Sequence, residues 1–207
     1  MTGLRERKKV DTRRALSDAT LSLAFERGLD NVTREAIADA AGVSLRTFNN
    51  YFGNKYEALA YRQIERMERS LEVFRERPVD EPLWSAIAES VIEPLAAEGV
   101  AEVAPTRKQL AVVRTVVHAP ELRVAMFRSV FADWVEAIAE RTGTDPERDM
   151  YPRMAAGVMG AVGDAAMDAY VMADPPVSIT TLFRQGFAAV AAGLPEPTTR
   201  TGGKNHD

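Results

Sequence analysis

VTREAIADAAGVSLRTFNNYFGNKYEAL, residues 32–59, decides how this chain is read. Thr33 can cap a short helix, with Glu35 beside its positive end. Ala36, Ile37, Ala40 and Ala41 give that helix a small apolar face. Gly42 ends it, because a left-handed backbone costs glycine little, and Val43 fills the elbow. Ser44 can cap a second short helix. In that helix Phe48 and Phe52, four apart, share the buried face. Arg46, Thr47, Asn49, Asn50 and Tyr51 then remain on the open side. Two short helices joined by a tight glycine turn can hold the second in the DNA major groove.

The open side carries the right chemistry for that. Arginine can bond guanine bidentately, asparagine can do the same with adenine, and a threonine methyl can touch thymine's methyl. Helix-terminal N–H groups, hydroxyls and a lysine suit phosphate. The candidate DNA-binding set is therefore Thr33, Ser44, Leu45, Arg46, Thr47, Asn49, Asn50, Tyr51 and Lys55. The plain alternative is a short helical hairpin with a polar surface.

The charge distribution agrees with a nucleic-acid partner. The 207-residue chain has net charge −4, yet residues 1–66 hold 12 Lys/Arg against 9 Asp/Glu, and the remainder 14 against 21. Arg5, Arg7, Lys8, Lys9, Arg13 and Arg14 crowd the first fourteen residues. Next to a helix-turn-helix this run reads as a phosphate-contacting arm; by itself it would read as a solvated tail.

Working outward, RERKKVDTRRALSDATLSLAFERGLDNVT (5–33) and YFGNKYEAL (51–59) complete a pattern that resembles the TetR family of bacterial transcriptional regulators. The pattern comprises a basic arm, an apolar first helix ending in ERG, a threonine before the second helix, AGVS at the turn and an aromatic pair followed by lysine. It covers about 55 residues without a gap. The chain departs from it at Ala24–Phe25, where the aromatic commonly comes first, and at Asn50, where an aromatic is frequent.

The rest of the chain reads as all-α. Helices are expected over about 9–27, from 54 to 77, and over 81–97, 106–117, 120–141, 145–172 and 179–192, in addition to the two around the turn. The caps Asn54/Glu57, Thr144-Asp145-Pro146 and Ser178 punctuate them. The division expected is 1–57 for arm and DNA-binding domain, 58–194 for a helical effector-binding and dimerisation domain, and 195–207 for a disordered tail. Nine helices split three and six match the TetR-like layout, in which the resemblance implies that the last two helices build a homodimeric four-helix bundle. The residues expected at that interface are Met159, Val162, Ala166, Ile179, Leu182, Phe183, Gly186, Phe187 and Val190. The alternative is that both faces bury within one subunit.

The six C-terminal helices look like a sensing domain. Apolar stripes on both sides of 120–141, with methionines nearby, suit either a ligand cavity or ordinary core. Arg107 and Arg114 lie among apolar residues and need an anion, a carbonyl, a salt bridge or water. The candidate effector pocket is Trp84, Arg107, Arg114, His118, Met126, Phe127, Val130, Phe131, Trp134 and Met159. PLWSAIAESVIEPLAA (82–97), AVVRTVVHAPELR (111–123) and ERTGTDPERDMYPRMAA (140–156) are similar to a TetR subgroup that includes the mycofactocin-associated regulator. That resemblance implies an acyl-CoA or fatty acyl effector.

The function expected is a ligand-responsive homodimeric repressor that leaves a pseudo-palindromic double-stranded operator when a small molecule binds. The rival is a helical dimeric protein-interaction module without specific DNA binding. Catalysis is not expected: there are two histidines and no cysteine, and HExxH, GxSxG, P-loop and dinucleotide-turn motifs are missing. No cofactor, metal or membrane partner is expected. A cysteine-free chain whose charged start has no apolar signal region is expected in the cytoplasm.

Overall fold

The computed structural model describes residues 2–98, 106, 110, 113–114 and 120–196, with backbone alone at residue 2 and over 120–129. Among the described residues the fold is eight α-helices without a strand. They are α1 (Thr2–Arg27), α2 (Arg34–Ala40), α3 (Leu45–Tyr51), α4 (Lys55–Glu76), α5 (Leu83–Ala97), α6 (Pro120–Thr142), α7 (Met150–Met172) and α8 (Ile179–Ala191). Most of the helix expected over 106–117 lies outside the described residues, as do residues 197–207 of the expected tail. Among the described residues no helix is long and apolar enough to cross a membrane.

Two apolar cores share α4. The first gathers Leu16, Leu23 and Ala24 of α1, Ile37 and Ala38 of α2, Phe48 and Phe52, and Ala58, Leu59 and Ala60 of α4. Burying a side chain such as Phe48 or Ile37, both 0% exposed, contributes about 2 kcal/mol. Tyr61 and Ile64 also pack on this core, so it reaches past residue 57. The second core takes over at Met67, Leu71 and Phe74. It continues through Ala86 and Ile87, Val130 to Ile138, Ala155, Val162 and Phe187. Phe74 and Trp134 meet there with ring centroids 5.1 Å apart.

The joint between the cores is polar and specific. Arg141, near the end of α6, gives its guanidinium to the carbonyls of Arg77, Pro78 and Glu81, and lies over the Phe74 ring at 5.3 Å. It thereby braces the α4–α5 connection, where the Pro78 carbonyl also accepts the Glu81 N–H at 3.2 Å. Arg66 and Arg69 on α4 both reach Glu98 just beyond α5, with Arg66 Nη2 at 2.6 Å.

Three local expectations change. The basic run is not an arm: it forms the first turns of α1, which starts at Thr2 rather than near Lys9. Arg, Lys and Glu are good helix formers, and the run simply extends the helix that follows. Thr144-Asp145-Pro146 does not start α7. Asp145 Oδ1 accepts from the N–H groups of Glu147 and Arg148, Asp149 Oδ2 accepts from Asp145 N–H at 2.7 Å, and the helix begins only at Met150. Short acidic side chains offer the backbone such turns in competition with helix. Ser178 occupies the cap position of α8, but its hydroxyl pairs with that of Thr180 at 2.8 Å instead of a backbone donor.

Candidate nucleic-acid interface

The turn between α2 and α3 is set by residues within a few positions of one another. Thr33 Oγ1 accepts the Ala36 N–H at 3.2 Å, and Ser44 Oγ accepts the Thr47 N–H at 3.1 Å. Gly42 has φ 67°. Its N–H donates to Asp39 O, and the Val43 N–H to Ala38 O at 2.9 Å. This pair of bonds satisfies the last carbonyls of α2 in a Schellman turn, which requires a left-handed residue at Gly42. Phe48 and Phe52 fill the space beneath α3, centroids 6.0 Å apart.

This arrangement turns Arg46, Asn49 and Asn50 outward as exposed side chains, with Leu45, Thr47 and Tyr51 half-buried at the margins. Among the described residues neither Arg46 nor Asn50 has a side-chain partner. Asn49 does: its amide oxygen accepts from Arg34 Nη1 at 3.3 Å. A bidentate contact to adenine uses both the oxygen and the NH₂ of an asparagine, so Asn50 has the freer amide. Thr47's hydroxyl pairs with Ser44 Oγ at 2.9 Å, leaving its methyl as the available contact group. Sequence reasoning missed Arg34. Only the folded turn brings it to Asn49, fifteen residues on, and no spacing rule announces that pair.

Lys55 is placed differently from the expectation. Its ammonium donates to the carbonyls of Leu29 at 2.8 Å, Val32 at 3.2 Å and Asp30 at 3.4 Å. An ammonium has three protons, and three carbonyls meet them. Lys55 therefore ties the start of α4 to the single 3-10 turn Leu29–Asn31 and does not stand as a free cation facing phosphate. Above it, Asn54 Oδ1 accepts the Glu57 N–H at 2.9 Å, and the Glu57 carboxylate takes the Gly53 N–H at 2.7 Å.

Two of the six basic residues near the N-terminus also turn inward. Arg14 Nε donates to Glu65 at 3.0 Å, and Tyr61 Oη and Arg62 Nη1 add bonds of 3.1 Å to the same carboxylate. Burial pushes the Glu65 carboxyl up, but the bonds from Arg14, Tyr61 and Arg62 outweigh it and hold it below its ordinary value. Arg13 lies between the rings of Tyr51 and Tyr61. Arg5, Arg7, Lys8 and Lys9 remain exposed along α1.

The expected effector residues divide. Val130 and Trp134 are closed into the second core at 2% and 1% exposure, with Trp84, Phe131 and Met159 packed against them. Arg114 instead donates to Val171 O at 2.7 Å, at the end of α7. There it borders a cavity of about 360 Å³ lined by Leu110, Val171, Met172, Ala173, Asp174 and Pro176. Arg107, His118 and the side chains of Met126 and Phe127 lie outside the described residues.

The expected interface residues divide too. Val162, Ala166, Ile179 and Phe187 are buried within the subunit, whereas Met159, Leu182, Phe183, Gly186 and Val190 are half-buried. At Gly186 an added Cβ would stand 2.7 Å from Val162 Cγ1. That glycine serves the crossing of α7 and α8 inside one subunit. The outward stripe of α7 is Met150, Met154, Gly157, Ala161, Ala165, Asp168 and Met172, all exposed except the half-buried Gly157, with Met154 50% and Met172 68% exposed. On α8 it is Thr181, Arg184, Gln185, Ala188 and Ala189.

A capped helix-turn-helix with an open polar reading face, set on a separate helical body, defines a DNA-binding transcriptional regulator. The chain belongs to the TetR family: residues 16–60 match the family model described as bacterial regulatory proteins, tetR family, and residues 81–195 match the MftR C-terminal domain. It is 30% identical over 167 residues to the HTH-type transcriptional regulator TcmR of Streptomyces glaucescens, covering 78% of this chain and 74% of that protein. It is 25% identical over 191 residues to MftR of Mycobacterium tuberculosis, described as a mycofactocin biosynthesis transcriptional regulator, covering 91% and 93%. The fold is similar to that of the fatty acid degradation regulator FadR from Bacillus halodurans (TM-score 0.58, 21% identity, 88% of this chain and 96% of that one). It is also similar to Thermus thermophilus FadR, a repressor solved with lauroyl-CoA (TM-score 0.57, 18% identity, 92% and 99%).

Proposed function

We propose that this regulator is a homodimeric repressor that holds a pseudo-palindromic operator and releases it when a small molecule binds the helical body. The observation that carries the DNA-binding part is the open face of α3, where Arg46 and Asn50 stand exposed without side-chain partners among the described residues while Phe48 anchors the helix beneath. One such module reads a short half-site, and dimers commonly read two, roughly 34–36 Å apart or multiples of it. The two-fold contact is assigned to the outward stripes of α7 and α8. Gly157 on that stripe and Gly160 at its edge support this, because among the described residues a Cβ at either would meet nothing within 4 Å. Glycine inside a helix costs about 1 kcal/mol relative to alanine, and no packing among the described residues offsets that cost.

The effector proposed is an acyl-CoA or fatty acyl compound. The match to the MftR C-terminal domain and the fold shared with the lauroyl-CoA-bound regulator support that class. Ligand would act by favouring a body conformation in which α4 carries the heads off operator spacing, which requires tighter binding to that state.

The test is fluorescence anisotropy on DNA from immediately upstream of the protein's own gene, and then on selected genomic fragments, with random competitor at physiological salt. Tight, competitor-resistant binding by two protomers per site is the expected result, weakened by saturating acyl-CoA. Arg46→Ala should lower operator affinity by about 1–3 kcal/mol and relax one base position. Weak binding lost equally to random DNA on every fragment would favour the interaction-module reading. Operator binding indifferent to acyl-CoA would refute the effector class alone.

A further inference from the structure

Arg13 belongs by sequence to the basic N-terminal run, yet it is half-buried. Its guanidinium carbon lies 5.8 Å from the ring centroid of Tyr51, the last residue of α3, and 5.8 Å from that of Tyr61 on α4. Its Nε is buried and, among the described residues, has no hydrogen-bond partner. Beside it runs a cavity of about 230 Å³ lined by Tyr51, Phe52, Glu57, Tyr61 and Ile64. Leaving a guanidinium N–H unpaired is unfavourable, whereas a flat cation between ring faces is attracted to both.

The neighbouring contacts give this wedge a purpose. α3 is a helix of seven residues. The turn fixes its N-terminal end, Phe48 and Phe52 its underside, and Tyr51 adds a contact from its C-terminal end to Arg13 of α1. Tyr61 is itself immobilised: its hydroxyl donates to Glu65, which Arg14 holds from the other side. Without Arg13 the adjoining cavity would give the Tyr51 ring room to swing.

Resting on the DNA-binding reading above, we propose that Arg13 is a positioning residue for operator reading: wedged between Tyr51 and Tyr61, it fixes the tilt at which α3 meets the base edges. It contributes to discrimination between sequences and not to phosphate neutralisation.

The experiment compares wild type, Arg13→Met and Arg13→Lys on operator and on random DNA over a salt series. Thermal melting and amide exchange across α3 are followed in parallel. Methionine keeps the apolar stem; lysine keeps the charge but cannot lie flat between two rings. Both variants are expected to lose about tenfold in operator affinity, to hold random-DNA affinity within about twofold, and to keep the wild-type salt slope. Exchange should quicken over 45–51. Equal loss on both DNAs with a slope reduced by about one, rescued by lysine, would make Arg13 a phosphate contact and overturn the proposal. Lower melting with unchanged discrimination would overturn it as well, by making Arg13 a plain structural residue. A wild type that does not discriminate operator from random DNA removes the regulator reading itself and the proposal with it. A discriminating wild type matched by both variants removes the proposal alone.

Discussion

Replacing Gly157 and Gly160 together by alanine should make the subunit more stable and the dimer weaker. Among the described residues neither new methyl meets an atom of the subunit within 4 Å, so no clash there offsets the gain in helix propensity. That gain is about 1 kcal/mol per site, hence about 2 kcal/mol for the pair. In a chain of this size it raises the melting temperature by about 4–8 °C. At a close helix–helix contact each methyl instead overpacks, at about 1–3 kcal/mol, and two-fold symmetry places every change in the interface twice. The dimer dissociation constant should therefore rise at least about tenfold. Sedimentation equilibrium reads the dimer, and melting at concentrations below the dissociation constant reads the subunit. Gly186→Ala is the internal control. Its methyl would stand 2.7 Å from Val162 Cγ1, so it should destabilise the subunit, and Val162→Ala should relieve part of that loss. A Gly157→Ala/Gly160→Ala protein that melts higher and dimerises as tightly as wild type would show that this stripe is not the two-fold contact.

Other substitutions separate local roles. Ser44→Ala removes the cap that receives the Thr47 N–H and should cost about 1 kcal/mol in urea unfolding, with a larger fractional loss of operator binding than of random-DNA binding. Lys55→Met strips three carbonyls of their donor and should cost about 1–2 kcal/mol; a wild-type salt slope in the variant would confirm the strut, and a slope lower by about one would restore the phosphate contact. Acid should loosen the joint between head and body. For Glu98, burial raises the carboxyl but Arg66 and Arg69 bring it below its ordinary value, and Glu65 is also held low. A depressed carboxylate contributes stability that is present above its unfolded value and lost as pH falls through the folded one. Unfolding midpoints should thus drop below the ordinary carboxylate range, and Glu98→Gln should flatten the drop. Glu68, raised by burial and by Glu65, Glu72 and Asp133, contributes in the opposite sense. An unchanged acid profile in Glu98→Gln would remove Glu98 as a contributor.

The features legible from sequence are those whose causes lie within one turn of chain. Thr33, Ser44 and Asn54 cap helices through donors three residues on, and Gly42 answers a backbone requirement at its own position. The helical periodicity of α1, α4 and α8 likewise follows from spacing alone. What spacing cannot supply is which distant group a side chain meets. Lys55 reaches carbonyls more than twenty residues back, Arg34 reaches Asn49 across the turn, and Arg14 reaches Glu65 from another helix. Each is a charge that sequence assigns to solvent or phosphate by default. Glycine is equally ambiguous. The expectation placed Gly186 at the interface, yet a Cβ there would meet Val162 of the same subunit, while among the described residues a Cβ at half-buried Gly157 or Gly160 would meet nothing within 4 Å. Periodicity identified α7 and α8 as apolar helices; it does not say which of two small-residue stripes packs at home.

These contacts also indicate where a regulator of this build can yield. The reading head is tied to the first half of α4 by a core running through Ile64, by the Arg14–Glu65 pair and by the Lys55 strut. The second half is tied to the body by Phe74 on Trp134 and by Arg141 on the connection that follows. Between them the principal polar contact across to α5 is Glu98 with Arg66 and Arg69, whose side chains are about one-fifth to one-third exposed. Ion pairs in such positions contribute about 1 kcal/mol or less, far below the cost of parting either core. Among the described residues, a ligand that displaces the end of α5 meets that polar contact before α4 can tilt about its clamped C-terminal end, carrying the head as a unit. The proposed release of operator therefore needs no rearrangement inside the helix-turn-helix.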